Sequence, residues 1–533
     1  MSAEPVPSSD VHVIPVERLP GLNALARGLA AKDGSVSEFL PDSPDVATIA
    51  ERARAVLASF RPRDASRAPA GLSDLVLGKR AGVFTGQQVG LFSGPLLTLT
   101  KALAVADLAS DLTRSGAPAL PCFWCASEDH DLVEVTRFVL PGPDGPVDRG
   151  PAAEPLAANR RPVGALPIDI DPAALLEEAA SAAGKRDDEA LAALAAASAG
   201  RTYLQAFRAT LSWLLGDGAE ATYDAARRED KPDLAPLAVR LVRERTEVRE
   251  ILDERAARLL GAGHPLQVKS DPSALPLFAV VDGERWLLCE KSSRLALKGH
   301  PDERTWETEE VVALFSEGTW LPSFSALSRP LAQSLLFPVA ATILGPAEIA
   351  YWAQSLPLFA WAGHVPPVLV PRPMVAVVEP SARRAMERLS ITIEELLEGP
   401  DAILEARGAA SASGLMRRLE DVKKTALRGL EALEPELLAV DESLGKGLAA
   451  TREKIDFALC KLEEKAASAA GRHQESLVEK VTRLTTALVP RGELAERVYT
   501  PVTHLMTLGR EGLLAAMRRG VSWERFGLTV VDA

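Results

Sequence analysis

Lys79-Arg80-Ala81-Gly82-Val83-Phe84-Thr85-Gly86-Gln87-Gln88-Val89-Gly90-Leu91-Phe92-Ser93-Gly94-Pro95 is the stretch whose reading decides the fold. Its apolar run up to Phe84 reads as a buried strand and the glycines after it as a turn. From Pro95 to Leu112 apolar residues recur at helical spacing. Gly94 and Pro95 suit the start of that helix, because proline at the first helical position forfeits no needed N–H. Ala119 to Cys125 is a second buried strand, which completes a βαβ unit. Such a unit puts both strand C-termini on one edge of a parallel sheet, where ligands bind. Thr85-Gly86-Gln87-Gln88 and Ser127-Glu128-Asp129-His130-Asp131 follow the two strands directly, so both are predicted to face one cleft.

Outward from this unit the pattern changes. Residues 1–140 hold the first part of an α/β core. Residues 141–261 begin in a Pro/Gly-rich loop and continue in Ala-rich helical stretches, which predict a helical insertion. Residues 262–322 return to the core and carry a smaller insertion with a hairpin, Phe278 to Val281 and Trp286 to Cys289 around Asp282-Gly283. Residues 323–385 supply the second part of the core, with strands at Val339 to Leu344 and Val368 to Val370. Residues 386–490 read as a helical coiled-coil domain, and 491–533 as a C-terminal segment returning to the core through Leu528 to Val531. The coiled-coil reading rests on Leu415, Leu419, Val422, Ala426, Leu430 and Leu433, and on Ile455, Leu459, Leu462, Ala466, Ala469, His473, Leu477, Val481, Leu484 and Leu488. These step by threes and fours between charged residues, with a break near Leu438 to Asp441 and Asp441 as N-cap of the longer helix. An antiparallel helical hairpin able to form a dimer interface is the simplest arrangement; a hairpin lying on the core is the alternative.

At 533 residues the chain exceeds what one hydrophobic core supports, and 47% hydrophobic with 25% charged residues is the balance of a globular protein. The net charge of −13 argues against a nucleic-acid partner, which needs a basic footprint. Met1 to Pro20 lacks the apolar core of a secretory signal, and Leu335 to Ala353 is broken by Pro338, Gly345, Pro346 and Glu348, so neither a leader nor a membrane span is expected. Four cysteines are too few for a disulfide scaffold, which fits a reducing cytoplasm. Cys122 and Cys125 have CxxC spacing, but residues three apart in a strand point to opposite faces.

The first segment, with Thr85, Gly86, Gln87, Gln88, Gly90 and Ser93, joins backbone freedom to side-chain amides and a helix start, all suited to an anion. It is neither GxGxxG nor a P-loop, and a structural turn is the alternative. The second segment, with Glu128, Asp129, His130, Asp131 and nearby Glu134, packs carboxylates and an imidazole at a strand end. That suits a substrate amine, a metal-bound nucleotide or general-base work; a solvated polar turn is the alternative. No zinc spacing occurs, and no resident metal site is expected. Arg329 could fork onto a carboxylate, and Glu348 in the first turn of a helix could cap it or meet a ligand.

Phe84 to Gln88, Gly90 to Pro95, Phe123 to Asp131 and Gly345-Pro346-Ala347-Glu348-Ile349-Ala350-Tyr351-Trp352 together resemble the bacillithiol biosynthesis cysteine-adding enzymes, the cysteine ligase family. The likeness continues through Arg329-Pro330, Gln333, Pro371-Arg372 and Leu462 to Lys465; Cys125 stands where an aliphatic residue, and Ala347 where a glycine, is expected. The resemblance implies a Rossmann-like parallel-sheet core, two connecting-peptide insertions and an antiparallel coiled-coil domain used for homodimerisation. It implies amide formation between the cysteine carboxyl and the amine of glucosaminyl-malate, with ATP as energy source and magnesium as its companion. Asp129, His130 and Glu128 would then be catalytic. Thr85, Gly86, Gln87, Gln88, Gly90, Ser93, Ser127, Asp131, Arg329, Glu348, Trp352 and Arg372 would bind substrate or nucleotide. A Rossmann-like core alone does not fix a substrate, so a nucleotidyl- or aminoacyl-transferase with another amine acceptor, or an inactive coiled-coil scaffold, are the competing readings.

Overall fold

A computed structural model describes residues 11–32, 34–42, 44–151, 158–216, 221–269 and 271–533, with backbone alone over 406–413 and 469–474. Five parallel strands form the core: β1 (Ala81–Gln87), β2 (Ala119–Cys125), β3 (Ala221–Asp224), β4 (Val339–Leu344) and β5 (Val368–Pro371), in the spatial order β5-β4-β1-β2-β3. The same order read from the other edge is that of a doubly wound dinucleotide-binding fold. Helix α1 (Leu97–Arg114) links β1 to β2 as expected. Both faces of the sheet are covered, so its strands are apolar runs rather than alternating ones. Val83, Phe123 and Cys125 belong to one buried cluster, Phe84, Cys122 and Trp124 to the other. Cys122 and Cys125 therefore do point apart, and burial pushes the Cys125 thiol up to about 12.

Three local expectations are corrected. Helix α1 starts at Leu97, two residues late, because Leu91–Ser93 first forms a 3-10 turn with Phe92 (φ 51) and Ser93 (φ 71) left-handed. Strand β3 lies inside the stretch read as a helical insertion; it is a four-residue edge strand in which Tyr223 is the buried residue, too short to interrupt the helical pattern. Asp441 ends one long helix instead of capping the next, its carboxylate accepting from the Ser443 N–H at 2.7 Å.

The inserted hairpin is part of a five-stranded antiparallel sheet that includes Ala274–Val281, Glu284–Lys291 and Leu321–Phe324. Asp282 (φ 50) and Gly283 (φ 83) make its turn with both central residues left-handed, as a tight two-residue hairpin requires. A third sheet sets β7 (Gly527–Asp532) between the strand Val11–Pro15 and β6 (Met374–Val378).

The chain divides into two compact units, 1–141 with 147–380 and 493–533, and 142–146 with 381–492. The second contains α3 (Pro400–Val440) and α4 (Leu444–Leu488), packed on one another. Leu477, Val481, Leu484 and Leu488 are buried, while Val422, Leu433 and Leu462 remain exposed. Ala469 and His473 lie outside the described side chains. Among the described residues no helix is long and apolar enough to cross a membrane.

Candidate active site

A cavity of about 470 Å³ opens at the C-terminal ends of β1, β2 and β4, beside the point where the strand order reverses. Doubly wound sheets bind their ligands in this crevice. Gly86, Gln87 and Gln88 line it from β1, and Glu128 and Asp129 from the loop after β2. The two segments meet directly, the Gln88 amide donating to the Asp129 carboxylate at 2.6 Å. Glycine suits position 86, since a Cβ there would lie 3.0 Å from the Trp124 carbonyl oxygen and 3.3 Å from its Cβ, closer than ordinary van der Waals contact. From the far side of the switch point comes α2 (Pro346–Ser355), whose Glu348 accepts from the Gly345 N–H at 2.7 Å. Glu348 thus caps its helix and also lines the cavity.

Lys101 is the residue that sequence reasoning missed here. It is 2% exposed, one turn into α1, and its ammonium donates to Glu348 at 2.6 Å, to the Gly86 carbonyl at 2.8 Å and to the Gln87 side-chain oxygen at 3.1 Å. Burial lowers its pKa, with Glu348 opposing and Arg372 and Arg329 adding to the effect. A lone lysine on the apolar stripe Leu97, Lys101, Val105, Leu108 was the available signal. At the α1 terminus the N–H groups of Leu96, Thr98 and Leu99 go to the Tyr499, Pro95 and Leu96 carbonyls and are not offered to an anion. The helix start on the cavity is that of α2, through Ala347.

Arg285, from the inserted hairpin, had no local signal. Its buried guanidinium contacts Asp129 at 3.2 Å, His130 Nδ1 at 3.1 Å, the Ser323 hydroxyl at 2.8 Å and the Phe324 carbonyl at 3.1 Å, and covers the Phe278 ring at 3.7 Å. Arginine only donates, so His130 Nδ1 is an acceptor and the neutral ring carries its proton on Nε2. Burial and then Arg285 keep the His130 pKa below its ordinary value. Burial pushes Asp129 upward, but Arg285, the Gln88 amide and the His130 N–H outweigh it and hold the carboxylate below the ordinary range. Glu134, on the cavity rim, is pushed up to about 7 by the surrounding protein and by Asp131 and Asp129.

Of the other residues singled out, Arg329 and Arg372 line the cavity. The remainder do not. Thr85 donates to the Ile343 carbonyl at 2.9 Å, tying β1 to β4. Gly90 packs on Gly94, and Ser93 is buried in the turn behind the cavity. Ser127 donates to Asp224, joining β2 to β3. Asp131 accepts from the Glu134 N–H at 3.1 Å and caps a short helix. Trp352 is fully buried and stacked on Phe359. His130 stands behind Asp129, reached through Arg285. Glu128, which does line the cavity, is held by buried Lys231 at 2.7 Å.

The lining cations are Lys101, Arg285, Arg329, Arg372 and Arg497. Four are paired: Lys101 with Glu348, Arg285 with Asp129, Arg372 with Glu496 at 2.5 Å, and Arg497 with Glu493 at 3.0 Å. Arg329 alone among them has no carboxylate partner among the described residues; it donates to Gln333 at 3.0 Å and to the Tyr351 hydroxyl at 2.7 Å. Two lining side chains, Trp124 and Arg372, also keep a buried N–H without an acceptor, at Nε1 and Nη2. Buried polar atoms are normally satisfied, so these two donors suit acceptors on a ligand, while the lining Gln88 Oε1, likewise unpaired, suits a donor.

Comparison with known proteins then decides the family. The description "Bacillithiol biosynthesis BshC, N-terminal Rossmann-like domain" matches residues 60–373, and "Bacillithiol biosynthesis BshC, C-terminal coiled-coil domain" matches 375–518. The chain belongs to the bacillithiol biosynthesis BshC family. Relatives carrying the name "Putative cysteine ligase BshC" include one from Koribacter versatilis, 30% identical over 80% of this chain and 79% of its own. Another from Symbiobacterium thermophilum is 28% identical over 80% and 79%, and one from Heliobacterium modesticaldum 26% identical over 96% and 95%. The BshC match over 60–373 contains every residue named on the cavity except Arg497.

Proposed function

We propose that this chain is a cysteine ligase that joins the carboxyl of L-cysteine to the glucosamine amine of glucosaminyl-malate, the amide-forming step that yields bacillithiol. The observation that carries the reading is Arg329, an uncompensated guanidinium in the cavity at the switch point, of the chemistry needed to fork onto a malate carboxylate. The ligase name of the relatives supports the reaction class.

A free carboxylate does not acylate an amine unaided, and ATP, when bound, supplies the phosphoryl or adenylyl group that activates it. The residues fit such a ligand, through the orphaned Trp124 and Arg372 donors and the Gln87 and Lys101 side chains beside the α2 start. Among the described residues no three His, Cys, Asp or Glu converge as a metal cage. Magnesium would therefore enter with phosphate oxygens and a carboxylate, for which the cavity offers Glu128. Asp129, kept ionised, attracts the substrate amine, and Glu134, poised near neutral pH, takes its proton. His130, outside the cavity lining, acts through Arg285, which its Nδ1 meets at 3.1 Å and which in turn contacts Asp129, so its part is to position that carboxylate.

The exposed Val422, Leu433 and Leu462 on the helical hairpin support a homodimer made through it, which sedimentation equilibrium tests. For the reaction, deletion of the gene in a bacillithiol-producing cell is expected to abolish the bacillithiol pool and raise glucosaminyl-malate. An unchanged pool overturns the assignment.

A further inference from the structure

We propose a second small-molecule site behind the wall of the first, a cavity of about 280 Å³ that takes a monoanion with an apolar body. It lies within the same compact unit and does not depend on the reaction proposed above. Leu252, Leu266, Leu275, Phe278, Leu287 and Leu327 form its apolar lining. An apolar pocket of this size with a few polar groups at one end is the ordinary form of a small-ligand site.

Charge fixes the ligand class. Arg245, Arg249, Lys269 and Lys298 line the cavity, with Asp253 and Asp271. Lys298 is held by Asp271 at 2.6 Å, while Arg245 and Arg249 share the one carboxylate of Glu290, at 3.5 and 3.0 Å. Four cations thus face three carboxylates, an excess of one positive charge. The Nε of Arg249 is buried and makes no hydrogen bond, while that of Arg245 has only the Glu290 carboxylate, 3.5 Å away. A buried N–H left unmade costs on the order of 1–3 kcal/mol, so an acceptor from the ligand is favoured there. An ammonium or a dianion would not balance this rim.

The partition from the first cavity is one residue thick. Phe324 and Ala326 line the first cavity while Ser325 and Leu327 line the second, and Gln267 faces the first between Leu266 and Val268 of the second. Phe278, on the second cavity, carries the Arg285 guanidinium on its face at 3.7 Å. An occupant would press on the ring that supports Arg285, and through it on Asp129 and His130.

The test titrates octanoate, with octylamine and octanol as controls, into the full chain by calorimetry and ligand-observed NMR. Saturable octanoate binding at least tenfold tighter than octylamine is expected. Arg245→Met with Arg249→Met should weaken it tenfold or more, and Arg249→Gln alone measurably, should the double variant fail to fold. Leu327→Trp, which fills the cavity, should abolish it with the melting temperature retained. Arg329→Met, in the first cavity, should leave it unchanged. Absence of octanoate binding, equal binding of octylamine, or loss of binding in Arg329→Met would each overturn the proposal.

Discussion

Replacing Arg329 by methionine keeps the length of the side chain and removes its charge and five donors. Two of those donors are spent on Gln333 and Tyr351, which leaves three for a ligand. A hydrogen bond to a charged group contributes about 1.5–3 kcal/mol, and each 1.4 kcal/mol is tenfold in affinity. Arg329→Met should therefore weaken glucosaminyl-malate by about 10- to 150-fold in calorimetry, with a matching rise in KM and a smaller change in kcat. Arg329→Lys, which restores the charge but not the fork, should fall between the two. The packing cost is expected to be small, because the guanidinium lies 6.0 and 5.9 Å from the Trp124 and Tyr351 ring centres, within cation–π reach but not in close contact. Binding within twofold of wild type, in a variant with an unchanged melting temperature, would refute the role given to Arg329.

The buried Lys101–Glu348 pair should show coupling. Lys101→Met leaves the carboxylate without its main partner and costs about 3 kcal/mol, read as a fall of several degrees in Tm, and Glu348→Gln in the same molecule should restore part of it; additive losses would contradict the pairing. Arg285→Met should raise the His130 pKa, since Arg285 helps to lower it, and imidazole NMR resonances that titrate no higher than in wild type would refute the contact. Glu134 is raised from 4.5 to about 7 in the fold, so its stabilising protonated form is fully present below pH 4.5 and lost as pH rises through 7. Glu134→Gln should flatten that part of the Tm profile, and a Glu134 carboxyl that titrates near 4.5 by carbon NMR would remove it as the proton acceptor.

The core was legible where burial on both faces left unbroken apolar runs. Strands β1, β2, β4 and β5 could be read this way, and the placement of two loops at one sheet edge followed from topology alone. Strand β3 was not legible, because a four-residue edge strand with one buried large side chain leaves no run to detect. The cavity wall was half legible. Gln87, Gln88, Asp129, Arg329 and Glu348 sit at strand ends or a helix start, where chemistry concentrates. Lys101 and Arg285 reach the cavity from a helix interior and from a sheet more than 150 positions downstream of Asp129, and only tertiary packing brings them there. Conversely, Gly90, Ser93 and Ser127 look like ligand residues because glycine and hydroxyls also serve the turns that hold a loop in place.

The central claim is tested most directly by incubating the purified full chain with L-cysteine, glucosaminyl-malate, ATP and magnesium and following the thiol products by mass spectrometry. The account predicts bacillithiol, formed only when both substrates are present and reduced at least tenfold at low glucosaminyl-malate in Arg329→Met. Unconverted glucosaminyl-malate alongside a folded protein that binds it, or conversion indifferent to cysteine, would contradict it.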